Sequence, residues 1–136
     1  MSQMPLQTLI TGANRGIGLE FVRQLSAQGW RVFACCRDPQ QAEALNALVG
    51  VSAGKVSVHR LAVDDANQIQ ALAQQLQSQP IDLLINNAGV YAGGANEHFG
   101  STSSAEWLRV LQINTIAPVK MAEAFVGNVA QSSSKP

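Results

Sequence analysis

The stretch Thr11-Gly12-Ala13-Asn14-Arg15-Gly16-Ile17-Gly18 holds the residue types and spacing best suited to chemistry. An apolar run, Leu6 to Thr11, leads into it, and an amphipathic segment leaves it. Its glycines stand where a strand must turn sharply into a helix. Glycine accepts positive φ and lets a ligand approach the backbone with no Cβ in the way. The first turn of the following helix presents N–H groups without intrahelical partners, together with the positive end of the helix dipole. That combination seats a phosphate. The histidines, His59 and His98, have no partners at ligand spacing, so no metal site is expected.

The composition bounds what surrounds this seat. A chain of 136 residues, 46% hydrophobic and 13% charged, reads as one compact α/β domain with a real core. Net charge is zero and no Lys/Arg cluster occurs, which argues against a nucleic-acid surface or an anionic-membrane anchor. Met1 to Gln7 has neither a basic nor an apolar leader region, and no apolar stretch approaches spanning length. Cys35 and Cys36 are adjacent on an expected strand, so they point to opposite faces and read as buried thiols. A reducing compartment, the cytoplasm, is the expected location.

Four strands alternate with helices along the chain. Leu6 to Thr11 is the first strand, apolar without alternation, as in a parallel strand covered on both faces. The next helix is expected to bury Ile17, Phe21, Val22 and Leu25 and to end at Gly29. Arg31 to Cys36 is the second strand. Asp38-Pro39 should then start a helix through Val49, with Asp38 as N-cap and Leu45, Leu48 and Val49 inward. Val56 to Val63 is the third strand, and Ala66 to Ser78 is a helix that Pro80 stops, capped by Asp64 or Asp65. Asp82 to Asn87 is the fourth strand, followed by a Gly-rich loop, Ala88 to Gly100. Ser103-Ser104-Ala105-Glu106 forms a capping box for a last helix carrying Leu108, Leu111, Asn114, Ala117, Pro118, Met121 and Phe125 inward. The pattern predicts a Rossmann-type, doubly wound parallel sheet in the order 3-2-1-4, truncated after four strands and the following helix. Its crevice should open between the first and fourth strands.

Gly12-x-x-x-Gly16-x-Gly18, joined to Asn86-Asn87-Ala88-Gly89 and to Asn114, resembles the short-chain dehydrogenase/reductase family. Cys-Arg-Asp-Pro and Ile-Asn-Thr-Ile-Ala-Pro are similar to the branch of C-factor and sniffer-type carbonyl reductases. The resemblance covers Leu6 to about Ala130 and corresponds to the N-terminal part of a family member. It implies a partial NAD(P)-binding Rossmann domain over residues 1–130, with a polar tail, 131–136, that lacks core-building residues. It also implies hydride transfer between nicotinamide and a small-molecule carbonyl or secondary alcohol. In the family a Ser and a Tyr-x-x-x-Lys carry the proton chemistry. Here the sole tyrosine is Tyr91, with Ala95 four residues on, and Lys55, Lys120 and Lys135 have no tyrosine at the required spacing. A phenol without a neighbouring cation titrates near ~10 and transfers protons poorly at neutral pH.

The same resemblance assigns the binding residues. Gly12, Asn14, Arg15, Gly16, Ile17 and Gly18 match the pyrophosphate loop, and Asn87, Ala88 and Gly89 border the cofactor. Asn86 and Asn87 are expected to tie neighbouring strands together. Cys36 stands where an acid would hold the 2′-hydroxyl of NAD, and Arg37 follows it. Arg15 and Arg37 could grip a 2′-phosphate, so NADP(H) is favoured over NAD(H). Asp38 competes for the 2′ position but is better explained as a helix cap. Ala62 replaces the family's usual adenine-binding Asp, which leaves the N–H of Val63 to meet the adenine.

Asn114 is the family's anchor for a proton-relay water and the one catalytic residue this chain retains. Pro118, four residues later, has no N–H for its carbonyl, which predicts a kink. A satisfied core amide is the plainer reading of Asn114. Leu83, Leu84 and Ile85 should form an open apolar edge, so self-association or pairing through the fourth strand is expected. Three functions follow: part of an NADP-dependent oxidoreductase, a catalytically inactive dinucleotide-binding or regulatory module, or a stretch that does not fold stably.

Overall fold

The computed structural model describes residues 4–94 and 97–134. Ala95, which stands in the Tyr-x-x-x-Lys spacing after Tyr91, and Lys135 lie outside the described residues. The elements are β1 (Gln7–Ile10), α1 (Gly16–Ala27), β2 (Arg31–Cys36), a 3-10 turn (Pro39–Gln41), α2 (Glu43–Val51), β3 (Val56–Arg60), α3 (Ala66–Gln75), β4 (Leu83–Ile85), α4 (Ser104–Leu111), a π-helical turn (Gln112–Ile116) and α5 (Ala117–Ala130). All strand pairs are parallel, in the expected order β3-β2-β1-β4.

Alternation along the strands builds a core on each face of the sheet. Leu9, Phe33 and Cys35 point into one, under Ile69 and Leu72 of α3 and Met121 and Phe125 of α5. Ile10, Val32, Ala34 and Cys36 point into the other, under Val22 of α1 and Leu45 of α2. The two cysteines therefore lie on opposite faces, both buried, and burial pushes both thiols up. Inert thiols follow.

Several local expectations need correction. The buried side of α1 is Gly18, Val22 and Ser26, while Ile17 is 72% exposed and Phe21 is also exposed. Gly18 brings α1 so close to the end of β1 that its stripe, not the more apolar one, faces the sheet. Asp38 caps nothing with its side chain: Pro39 begins a 3-10 turn, Ala42 turns into the core, and α2 starts only at Glu43. Asp65, not Asp64, caps α3, its carboxylate accepting from the N–H groups of Asn67 and Gln68. Ser103 caps α4 as the capping box predicts.

The last helix is inward only in its second half. Ile113, Ala117, Met121 and Phe125 are buried, but α4 has no buried residue, and Leu108 is 68% exposed. Near Asn114, where a kink is expected, the helix carries a π turn, in which the N–H of Ala117 reaches back to the carbonyl of Gln112. That extra residue rotates one half of the helix relative to the other. The described part of the polar tail anchors rather than packs: Ser132 and Ser134 each donate to Oδ1 of Asp82 at 2.6 Å, and Ser132 is buried. Oδ2 of the same carboxylate accepts from the N–H of Gln7 at 2.7 Å. Burial alone would raise the Asp82 carboxyl, but these donors hold it below its ordinary value.

Candidate dinucleotide site

The crevice is built from the ends of β1 and β4. Thr11, fully buried, accepts with Oγ1 from the N–H groups of Asn87 at 3.1 Å and Ala88 at 3.0 Å. Nδ2 of Asn87 returns two bonds, to the carbonyls of Thr11 and Gly12, each at 3.1 Å. The glycine loop and the Asn-Ala-Gly turn are thus one hydrogen-bonded unit. Asn87 ties two strand ends as expected. Asn86 does not: it is exposed, follows β4 at the edge of the described sheet, and its Nδ2 donates to the carbonyl of Pro118 at 3.3 Å.

Gly12 and Gly16 have φ of +62° and +56°, a region that favours glycine. A Cβ on Gly18 would stand 2.2 Å from the carbonyl oxygen of Gly12, so only glycine lets α1 begin there. Arg15 occupies the N-cap position in extended conformation and provides no side-chain cap. The first-turn N–H groups of α1 are left for an outside acceptor.

These features face a cavity of about 670 Å³, lined by Gly12, Asn14, Arg15, Gly16, Ile17, Arg37, Asp38, Gln41, Asn87, Ala88 and Gly89. The volume falls within the ~300–1,000 Å³ of small-ligand sites. Among the described residues neither Arg15 nor Arg37 has an ion-pair partner, whereas Arg23, Arg109 and Lys120 each pair with a glutamate on their own helix. Two uncommitted guanidiniums at the mouth of an uncapped helix terminus fit a ligand with more than one phosphate. Gly18 stands behind this wall and shapes it without lining it. Val63 lines a cavity with Asp64, Gln112 and Lys120, and a narrow gap with Thr11 and Ala88 at the end of the crevice. Asp38 and Gln41 are the lining residues that motif reasoning left aside, and Thr11 is the organiser it passed over. A hydroxyl at the buried end of an apolar strand was the available signal, since such a group needs partners.

Asn114 is exposed, not a core amide. Its side chain clamps the backbone of Val90, accepting from the N–H and donating to the carbonyl, both at 2.8 Å. The amide of the π turn therefore fixes the loop that leaves the crevice. Among the described residues no group of three His, Cys, Asp or Glu could hold a metal, and no helix is long and apolar enough to cross a membrane.

The parallel sheet, glycine turn and uncapped helix define a Rossmann-type nucleotide-binding fold. The family model described as short chain dehydrogenase matches residues 7–135, and the chain belongs to that family. It is 33% identical to (+)-neomenthol dehydrogenase of Arabidopsis thaliana, over 91% of this chain and 49% of that protein. Among solved structures it is similar to an NADPH-bound carbonyl reductase from chicken fatty liver, with 36% identity and a TM-score of 0.79 over 91% of this chain and 52% of that one. A carbonyl reductase of Pseudomonas aeruginosa PAO1 in complex with NADP gives 28% identity and a TM-score of 0.82, over 90% and 56% of the two chains. The chain spans about half the length of the relatives it matches.

Proposed function

We propose that this chain is the cofactor-holding part of an NADP-dependent carbonyl reductase or alcohol dehydrogenase and binds NADP(H) in preference to NAD(H). The observation that carries the reading is the pair of unpaired guanidiniums, Arg15 and Arg37, on a crevice whose helix terminus has no side-chain cap. The N–H groups that open α1 would take the pyrophosphate. Arg15 and Arg37 would take the 2′-phosphate, and Asn14, Ile17, Asn87, Ala88 and Gly89 would border the remainder. A bound nicotinamide supplies hydride for a carbonyl, or accepts it from a secondary alcohol. Asn114 would keep the Val90 loop in place beside it.

Residues 1–130 make the binding unit and 131–136 its polar tail. The sequence holds no Tyr-x-x-x-Lys, so the chain by itself binds without turning over. The N–H of Val63, which lines a gap with Thr11 and Ala88 of the crevice, would meet the adenine. A cytoplasmic location suits two buried free thiols.

Titration with NADPH and NADH tests the reading. Saturable NADPH binding that Arg37→Ala weakens about tenfold, with no carbonyl-dependent oxidation, is the expected result. Failure to bind either dinucleotide overturns it. A second reading, an inactive module that pairs with a full-length relative, draws on the apolar surface around β4 and α4, where Leu83 and Leu108 are exposed. It predicts that a relative's activity changes when this chain is added.

A further inference from the structure

In the described sheet β3 is an edge strand, paired only with β2. A strand in a parallel ladder turns the main-chain groups of alternate residues toward one neighbour. Here the carbonyl of Lys55 accepts from the N–H of Val32, and the N–H of Leu61 donates to the carbonyl of Cys36, both at 2.8 Å. With the observed register, Ser57 and His59 therefore serve β2, and the main-chain groups of Val56, Val58 and Arg60 turn outward. Ser52 Oγ accepts from the N–H of Val56 at 3.2 Å and closes the start of the edge. The N–H groups of Val58 and Arg60 have no partner among the described residues.

Beside this edge lies a cavity of about 330 Å³. Val58, His59 and Arg60 form one wall, and Gln68, Ala71 and Gln75 on one side of α3 form the other. Gln68 ties α3 to the end of the strand, its Oε1 accepting from the N–H of Ala62 at 2.7 Å. The cavity shares no lining residue with the dinucleotide crevice. Its surroundings are basic. Among the described residues Arg31, Lys55 and Arg60 carry no ion pair, and α3 has no charged residue from Ala66 to Gln75. Arg31 lies over the Phe33 ring at 5.1 Å, and that ring meets His59, which brings a further cation to the same face. The first acids after β3 are placed elsewhere: Asp65 caps α3, and Asp64 lines the cavity with Gln112 and Lys120.

An edge strand beside a helix-walled groove is the geometry in which a peptide adds as a further strand. Main-chain bonds hold such a peptide, and alternate side chains enter the groove. Basic residues along the edge select acidic ones opposite. A second copy of this chain is the poorer occupant, because pairing β3 with β3 would set Lys55 and Arg60 of both copies along one seam. We propose that the groove between β3 and α3 binds an extended acidic segment of a partner protein, which adds to the sheet through main-chain hydrogen bonds to Val58 and Arg60. This site is independent of the dinucleotide reading.

Fluorescence anisotropy on the 136-residue chain tests it, with a labelled peptide of about eight residues alternating valine and glutamate. Saturable binding at micromolar concentration is expected, weakening as salt rises. The same peptide with lysine for glutamate should bind at least about tenfold more weakly. A form N-methylated at every residue keeps the charges but loses its N–H donors, and should not bind. Arg60→Glu should weaken binding about tenfold. Val58→Pro removes an outward N–H that the ladder with β2 does not use, and should abolish binding with little change in melting temperature. Where Val58→Pro does melt early, Ala71→Trp serves in its place, filling the groove from an exposed position on α3. No binding of the glutamate peptide overturns the proposal. Equal binding of the N-methylated form overturns strand addition, and equal binding of the lysine form overturns the acidic partner. Unchanged affinity in both Arg60→Glu and Ala71→Trp places the peptide elsewhere and also overturns it. Loss of self-association in Arg60→Glu, read by sedimentation, assigns the edge to a second copy instead.

Discussion

At the scale of single residues the crevice depends on groups that cannot be exchanged for near neighbours. Gly18→Ala drives a Cβ to 2.2 Å from the Gly12 carbonyl, and backbone must move to relieve it. A cost of about 1–3 kcal/mol is expected in thermal or urea melts. Gly16→Ala meets open space and strains only φ, so it should cost about 1–2 kcal/mol while impairing dinucleotide binding more than its melt implies. Thr11→Val is the third case. It keeps shape but strips the acceptor from the N–H groups of Asn87 and Ala88, for about 1–3 kcal/mol, and Thr11→Ser should restore most of it. The glycines were legible in the sequence because φ and close approach admit no other residue. Asp38 was misread because a cap rule considers residue type and position, whereas the bond itself depends on the local φ and ψ of −131° and 88°.

Between elements, two couplings carry testable consequences. The π turn and the loop after β4 are joined by the paired bonds of Asn114 to Val90. Asn114→Ala should leave the melt nearly unchanged, since the residue is exposed, but should speed amide exchange at Val90. Equal exchange in both proteins would mean that the clamp does not hold the loop. The second coupling joins β2 and β3. His59 meets Ser57 Oγ at 2.9 Å and the edge of Phe33 at 5.8 Å between centroids, with Arg31 over the same phenyl ring. Burial first, and the Arg31 charge second, hold His59 below its ordinary 6.5. The folded state therefore binds fewer protons than the unfolded chain just below pH 6.5, and acidification through that window favours unfolding. Melting temperature should fall from pH 7.5 to 5.5, and His59→Gln should flatten the fall; an identical slope would exclude His59 as its cause. Strand order was readable from the alternation of strands and helices with right-handed crossovers, and the start of α4 from the capping box at Ser103. The inward side of α5 was readable too, in Ala117, Met121 and Phe125, but that of α4 was not, because a one-residue π insertion separates the two halves without altering their hydrophobicity.

At the scale of the whole molecule, large apolar side chains stand exposed among the described residues. Leu83 on β4 is 41% exposed, while Leu84 and Ile85 are half-buried, each packed on one of the two cores. The open edge is therefore narrower than the strand's sequence suggests, because core packing has already taken two of its three side chains. Trp107, Leu108, Leu111, Ile116 and Val119 are exposed along α4, the π turn and the start of α5. Exposed apolar side chains in this number, together with an edge strand, favour association. Sedimentation velocity across a range of concentrations should show species heavier than a monomer. Leu83→Lys places a charge at the strand edge and should reduce them if strand pairing dominates. Leu108→Glu with Val119→Glu should reduce them further, because the helical surface offers more apolar area at about 25 cal/mol per Å² buried. None of these residues lines the crevice, so NADPH affinity should be the same for all variants. A chain that sediments as a single monomer at all concentrations, with a sharp two-state melt, would show that this surface is tolerated in water. It would then count against pairing with any partner through β4.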